Sequence, residues 1–540
     1  MLKRVESIAA VLLTLLVLAV HVQRVLHAGG LWRDEAGAVQ LATLPTLEEV
    51  YQRFPHEAFP MLFPAILRGY TALSGGSDLA LRLFGMAVGM AILAALWLNA
   101  RAAGTVPLAS VALLGLHPWF LVYGDSIRGY GLGIVLILLT FGAFARLVAR
   151  PDRRAIIFAA VAAVLSVHCL LHNSALLLGM GMAAAAVGVV RRWRMAAAAL
   201  GVGLLAAVSL LPYFRPLSAA RDWDILLVEE LRLRQILASF GAIIIYPSPA
   251  MLWAWVLFLV TGVAAALWAL SRGAGPDSDA DDARLFRLLT LPAVFAAQCG
   301  LFLVLGYLPR IWYCLPLMAV AASALDGLLA RLPAGLRVAR LAAAVLLPVL
   351  LLPSVTLETK KRMTNVDLVA RHLEEHVGRR DLVVVNPWYF GVSFHRYYQG
   401  EARWITVPGL DDHRMHRYDL VKTRMMSHQP LGDLFFAVRR TLRAGHRVWV
   451  VGAFDAPPPG ESPPVLGPAP GAPSGWRDGP YTVAWNLQLG DYLRKNAERE
   501  EGVHVPPATG INPLEHLTLR SFQGWRRKAP DNQPLRRAGG

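Results

Sequence analysis

Eleven apolar stretches, each close to the length of a membrane crossing, constrain this 540-residue chain more than any other feature. They run over 8–26, 81–100, 105–123, 129–148, 155–171, 174–190, 195–214, 250–270, 285–307, 311–330 and 338–355. A helix needs ~20 residues to cross the hydrocarbon of a bilayer, and lipid offers nothing to an unpaired peptide group. The chain is therefore expected to be a polytopic α-helical membrane protein. Its composition agrees: 55% hydrophobic and 17% charged residues are not the balance of a soluble globular domain. The stretches at 155–171 and 174–190 are the shortest, joined by little more than His172-Asn173.

Charge orients the spans. Lys3 and Arg4 precede the first. The loops after alternate spans then carry Arg101, Arg146 to Arg154, Arg191 to Arg194, Arg272 to Arg287, and Arg331 to Arg340. The positive-inside rule makes that side cytoplasmic. The protein is expected in the cell inner (plasma) membrane, multi-pass, with everything after residue 355 extracytoplasmic. Much of the net charge of +16 is then topology. No basic-aromatic motif calls for a nucleic-acid partner. Met1 to Val20 has the basic start and apolar run of a signal peptide, but no small-x-small site follows before Asp34. It is expected to stay as an anchor. Cys169, Cys299 and Cys314 all fall in or beside spans, so neither a disulfide framework nor a zinc-ligand spacing is present.

The expected organisation is a transmembrane domain, 1–355, with outer loops at 27–80 and 215–249, and a soluble α/β domain, 356–540. In the first loop Thr46 and Glu49 form a capping box that opens a short helix to about Phe54. Pro60 to Leu73 is apolar but broken by Pro60, Pro64 and Arg68, so it is expected to lie in the interface. Leu231 to Tyr246 reads as a second interfacial helix. The acidic cytoplasmic loop 271–284 reads as solvated linker. Beyond 356, Val366 to His376 and Leu431 to Leu442 read as helices. Leu382 to Val385, Trp404 to Val407 and Val448 to Val451 read as strands. Pro457 to Pro480 reads as loop, and the basic tail from Arg526 as disordered.

Chemistry concentrates at the outer ends of the spans. Asp34-Glu35 follows the first span directly, where a lipid-linked substrate presents its polar head. A carboxylate there can take or orient the proton of an attacking hydroxyl. Acids also simply favour the first turn of a helix, and Ala36 onward reads helical. On the same side stand Arg82, Arg128, Arg221 and Arg310, where the positive-inside rule disfavours them. Arginine suits a phosphate because its charge is permanent and its donors form a planar fork. Snorkelling, or pairing with Asp78 or Asp125, explains any one of them better, but four on the same face as an acidic pair point toward a phosphate-bearing lipid. Tyr130, Tyr213, Trp223, Trp312 and Tyr313 lie at the same depth, as interface aromatics do. His56, with Glu57, can contact a phosphate or sugar. His168 and His172 lie close in sequence, but two imidazoles alone do not make a metal site.

Taken in order, these segments resemble the polyprenyl-phosphate-dependent glycosyltransferases of the GT-C class. The likeness is to the glycosyltransferase family 39 type, which includes protein O-mannosyltransferases and lipid A aminoarabinose transferases. The likeness rests on Asp34-Glu35-Ala36, on His56-Glu57-Ala58-Phe59-Pro60, and on Gly75-Gly76 leading to Ala80-Leu81-Arg82-Leu83. It continues in Pro118, Arg128-Gly129-Tyr130, and Arg310 with Tyr313-Cys314-Leu315-Pro316. Family members often carry two adjacent prolines after the histidine; here Pro60 and Pro64 are separated. The residues past 356 match the family only in position and coarse α/β character.

The resemblance implies a hexosyl or pentosyl transferase. It would move a sugar from a polyprenyl-phosphate donor to a lipid, glycan or protein acceptor on the outer face, with inversion. Asp34 would be the base, with Glu35 orienting Asp34 or a neighbouring cation. Arg82, Arg128 and Arg310 would meet the donor phosphate, with Tyr130, Tyr313, His56 and Arg221 lining the substrate. No cofactor beyond the lipid-linked donor is required; a divalent metal is compatible with the scheme but not demanded by it. A lipid-linked sugar transporter or flippase would also want such arginines, but it should show internal repeats and charges within spans. A noncatalytic envelope scaffold is the third reading.

Overall fold

The first apolar stretch forms α1 (Leu2–His27), and Gly29, at φ 65°, turns the chain out of it. The computed structural model describes residues 1–57, 59–221, 223, 231–271, 279–469, 478–507 and 510–526. The side chain of Arg221, residues 272–278 of the acidic loop and the tail from 527 lie outside the described residues. Two compact units are present: Met1–Met363, and a second that begins at Thr364.

In the first unit the outer loop after α1 is helical. It contains α2 (Arg33–Ala42), α3 (Leu47–Arg53) and α4 (Leu62–Ser74). Thr46 caps α3, its hydroxyl accepting from the Glu49 N–H at 3.1 Å, which is one half of the expected capping box. Gly75, at φ 74°, ends α4 in the left-handed conformation that favours glycine. Next come α5 (Asp78–Ala102), α6 (Leu108–Leu114), α7 (Pro118–Gly124), α8 (Gly129–Ala149), α9 (Arg153–Cys169), α10 (Asn173–Arg191) and α11 (Trp193–Ser209). The second outer loop carries α12 (Phe214–Arg221) and α13 (Leu233–Ile245), the latter where an interfacial helix is expected. The unit closes with α14 (Pro249–Ser271), α15 (Asp279–Leu305), α16 (Ile311–Leu328) and α17 (Ala334–Thr359).

Nine helices among the described residues are long and apolar enough to cross a membrane. The other two of the eleven expected stretches depart for identifiable reasons. The fifth, α9, has 17 residues, about 26 Å of helix against ~30 Å of hydrocarbon. The third is broken into α6 and α7, of seven residues each. Pro118 has no N–H and disfavours helix at the residue before it, and His117 is indeed extended (ψ 118°). Protein contacts hold both the start of α6 and the break after it. Asp326 of α16 caps α6, accepting from the Ala109 and Ser110 N–H groups at 2.9 and 3.3 Å. His117, fully buried, bonds the Ile243 carbonyl of α13 at 3.1 Å.

The acidic loop is shorter than the linker read from sequence. Its second half is the first turn of α15, where acids are favoured. Asp279 and Asp282 pair with Arg192 and Arg191 (3.0 and 3.5 Å), and Asp281 pairs with Arg284 (2.5 Å).

The second unit is α/β. Its sheet has strand order β2-β1-β3-β5-β4, with β1 (Leu382–Asn386), β2 (Arg403–Thr406) and β3 (Val448–Gly452) parallel. The β1 strand is buried throughout, as a central parallel strand should be. Helices α18 (Val366–His376) and α19 (Phe390–Tyr397) cover one face, where Val369, Leu373 and Phe394 meet Val383, Val385 and Trp449. The unit also contains α20 (Tyr418–Met425), α21 (Gly432–Arg443) and α22 (Asp478–Asn496). The sequence reading missed α19, α20, α22 and the antiparallel pair β4 (Ala497–Val503) and β5 (Leu519–Trp525).

Candidate functional site

Helix α2 sets the site. Trp32 is its extended N-cap, so Asp34 and Glu35 fall in the first turn. Neighbouring positions on a helix point about 100° apart. Glu35 therefore turns fully inward while Asp34 keeps 22% of its side chain exposed.

Glu35 is consumed by Arg82, at the start of α5. The Arg82 Nη1 donates to both Glu35 carboxylate oxygens at 2.8 Å. Its Nη2 donates to the Gly30 carbonyl at 2.7 Å, and both Nε and Nη2 reach the Gly29 carbonyl at 3.3 Å. The Ile127 N–H completes the carboxylate at 3.1 Å. Every nitrogen of the Arg82 guanidinium is engaged inside the protein, and the residue is only 6% exposed.

Arg128 is also held by a carboxylate, through its two terminal nitrogens. Its Nη1 donates to Glu57 at 2.5 Å and to the Asp34 backbone carbonyl at 3.0 Å, and its Nη2 donates to the Glu57 carbonyl at 3.2 Å. The guanidinium also lies 4.5 Å from the Phe59 ring centre. Burial works against its charge, but Asp34, Tyr130 and Glu57 together outweigh that and raise its proton affinity further. Gly37 makes this pair fit: a Cβ there would stand 2.4 Å from the Glu57 carboxylate. The partners of Arg82 and Arg128 are thus Glu35 and Glu57, not Asp78 and Asp125. Asp125 instead bonds His21 of α1 at 2.7 Å.

Beyond Arg128 stands an aromatic wall. Tyr130 opens α8, with Phe59, Trp312, Tyr123 and Tyr313 ring centres at 5.1, 6.0, 6.1 and 6.4 Å. Tyr313 stacks on His172 at 4.0 Å, its ring inclined by 14°. Arg310, the N-cap of α16, is exposed and has no carboxylate or hydrogen-bond partner for its side chain among the described residues. It differs in this from Arg82 and Arg128.

The second outer loop starts against the first. The Tyr213 hydroxyl accepts from the Met61 N–H at 3.1 Å, and Tyr51 donates to the Pro212 carbonyl at 2.6 Å. His56, 8% exposed, stacks on Trp223 at 4.2 Å. His168 bonds Tyr213 and Ser209, both at 3.0 Å, so it is not paired with His172. Among the described residues, no group of three or more His, Cys, Asp or Glu side chains is arranged to hold a metal ion.

Glu57 and His172 are the residues that sequence reasoning undervalued. The signal for Glu57 was present: a buried-side arginine at 128 needs a carboxylate, and Glu57 is the acid beside the flagged His56.

A bundle of apolar helices with a helical outer loop, followed by an α/β unit, is the fold this geometry defines. Among solved structures, the chain is similar to ArnT from Cupriavidus metallidurans. The crystal structure bound to undecaprenyl phosphate matches with a TM-score of 0.49 and 15% identity, over 82% of this chain and 92% of that one. The apo structure of the same protein matches with a TM-score of 0.48 and 14% identity over the same shares. The sequence matches no protein-family model and no curated protein.

Proposed function

We propose that the chain is a membrane glycosyltransferase that moves a sugar from a polyprenyl-phosphate donor to an acceptor on the extracytoplasmic face, inverting the anomeric carbon. The supporting observation is the contrast among three linked carboxylates. Glu35 and Glu57 are buried and each held by an arginine; Asp34 stays partly exposed at the surface those pairs build. Glu35–Arg82 and Glu57–Arg128 fix the backbone on both sides of Asp34, since Arg128 holds the Asp34 carbonyl and Arg82 the Gly29-Gly30 turn before it.

In this reading the acceptor oxygen forms a bond to the anomeric carbon from the face opposite the phosphate. The bond from that carbon to the phosphate oxygen breaks, its electrons leave with the polyprenyl phosphate, and the acceptor proton passes to Asp34. Arg310 meets the charge growing on the leaving phosphate. Tyr130 and Tyr313 offer a wall for the sugar ring, and His56 and Arg221 border the substrate from the outer loops. Arg82 and Arg128 act by positioning. The second unit lies outside the cytoplasm, and the acceptor is a lipid, glycan or protein.

The test uses purified protein in nanodiscs with a panel of undecaprenyl-phosphate-linked hexoses and pentoses, each offered together with envelope lipid, glycan and protein extracts as acceptors, measuring release of undecaprenyl phosphate. The expected result is release by the wild type and a loss of roughly a hundredfold or more in Asp34→Asn, with donor binding retained. Near-normal turnover in that variant rejects Asp34 as the base. No release from any donor by the wild type rejects the transferase reading.

A further inference from the structure

The transfer scheme leaves one group at the aromatic wall unused. His172 closes the turn between α9 and α10, with its ring stacked on Tyr313. His168, four residues earlier, has both ring nitrogens bonded to protein. His172 has neither bonded among the described residues, and its Nδ1 is buried. The turn that carries it is held firmly. Asn173 Nδ2 donates to the Gly133 carbonyl at 2.9 Å and to Ser166 Oγ at 3.0 Å, fixing α10 to α8 and α9. An aromatic side chain that is stacked, braced at its backbone and unbonded at its polar atoms is arranged for a ligand.

The chemistry of the ligand follows from the ring. Burial pushes the His172 pKa down to about 4, so the imidazole is neutral at any physiological pH. It offers one N–H and one bare nitrogen, and no charge to attract a phosphate. Either nitrogen, as donor or as acceptor according to the tautomer, can bond a hydroxyl, which both donates and accepts. The location fits a sugar: Tyr313 contacts Tyr130, Tyr130 lies 6.0 Å from the Arg128 guanidinium, and Arg128 bonds the Asp34 carbonyl.

We propose that His172 is a specificity-determining residue that reads one hydroxyl of the sugar bound against Tyr130 and Tyr313. The proposal rests on the transferase reading. A site that bonds a buried substrate hydroxyl rejects the analogue lacking it, because its own polar atom is then left unpaired.

The experiment compares the wild type with His172→Phe and His172→Gln in nanodiscs, using the best undecaprenyl-phosphate-linked sugar and each of its monodeoxy forms. Phenylalanine keeps the stack on Tyr313 and removes both nitrogens; glutamine restores a donor and an acceptor. The wild type is expected to lose roughly tenfold to a hundredfold in kcat/KM on one deoxy form. His172→Phe should handle the parent sugar no better than that form, discriminate no longer at that hydroxyl, and discriminate normally at the others. His172→Gln should recover part of the difference. If His172→Phe lowers all donors equally, or leaves the discrimination intact, His172 is structural and the proposal is overturned while the transferase reading stands. If the wild type uses no donor at all, the transferase reading fails and takes this proposal with it.

Discussion

Arg82→Ala separates positioning from phosphate binding. The substitution leaves Glu35, with no exposed surface, holding a charge whose remaining partner is the Ile127 N–H. It also removes the donors to the Gly29 and Gly30 carbonyls. Removing one partner of a buried ion pair costs ~3–5 kcal/mol. One kcal/mol shifts the melting temperature by ~2–4 °C in a domain of ~150–250 residues, and by less in a larger unit. The expected fall in apparent melting temperature is therefore on the order of 5–10 °C. It should be measured by intrinsic fluorescence on detergent-purified protein, alongside the specific activity of the folded fraction. Arg82→Met combined with Glu35→Gln should be less destabilised than Arg82→Ala alone, because it leaves no unpaired buried charge. The reasoning is refuted if Arg82→Ala melts like the wild type and only the donor KM rises; Arg82 would then be a phosphate ligand.

Three further outcomes follow from the same geometry. Arg310→Ala, at an exposed position, should leave the melting temperature unchanged and cost roughly tenfold to a hundredfold in kcat/KM for the donor, with partial rescue by lysine; unchanged kinetics would remove Arg310 from the site. Gly37→Ala should lower both stability and turnover, because its Cβ would stand 2.4 Å from the Glu57 carboxylate that holds Arg128; a wild-type melting curve and rate would show that Glu57 can move away at no cost. In the second unit, burial would raise the Asp412 pKa, but hydrogen bonds from Arg414 and Arg417 outweigh it and hold the group below the usual carboxylate range. A depressed folded pKa contributes stability that is present above the unfolded value of ~3.9 and is lost as pH falls through the folded one. Full-length Asp412→Asn should accordingly show a smaller loss of stability below about pH 4 than the wild type, by circular dichroism of the protein in detergent; equal acid sensitivity would show that the arginine contacts contribute nothing.

The helices of the first unit were legible because lipid imposes one period and one length. Leu382 to Val385 announced a central strand because four consecutive apolar β-formers fit nothing else of that length. β4 was not legible: Glu498, Arg499, Glu500 and Glu501 are all exposed on a strand at the sheet edge, and an edge strand need not alternate. The Pro118 break was visible as a proline, but the bond from His117 that braces it depends on the Ile243 carbonyl, 126 positions away. The acidic pair was legible as a position. Its division of labour was not, because which carboxylate turns inward depends on Arg82 arriving from α5 and on the Ile127 N–H. The arginines were found by standing at the span ends opposite the basic loops, yet sequence could not distinguish the exposed Arg310 from the engaged Arg82 and Arg128.

The broken third stretch bears on how the protein is made. Two helices of seven residues reach about 10 Å each, so neither can settle in lipid as an independent span. The carboxylate that satisfies the first N–H groups of α6 belongs to a helix synthesised much later. While the ribosome is still translating the segments between, Ala109 and Ser110 have no Asp326 to bond. The first N–H groups of α6 thus gain their carboxylate partner only once α16 is present. The start of α6 is completed by a side chain made after it, although it is among the first parts of the unit to leave the ribosome.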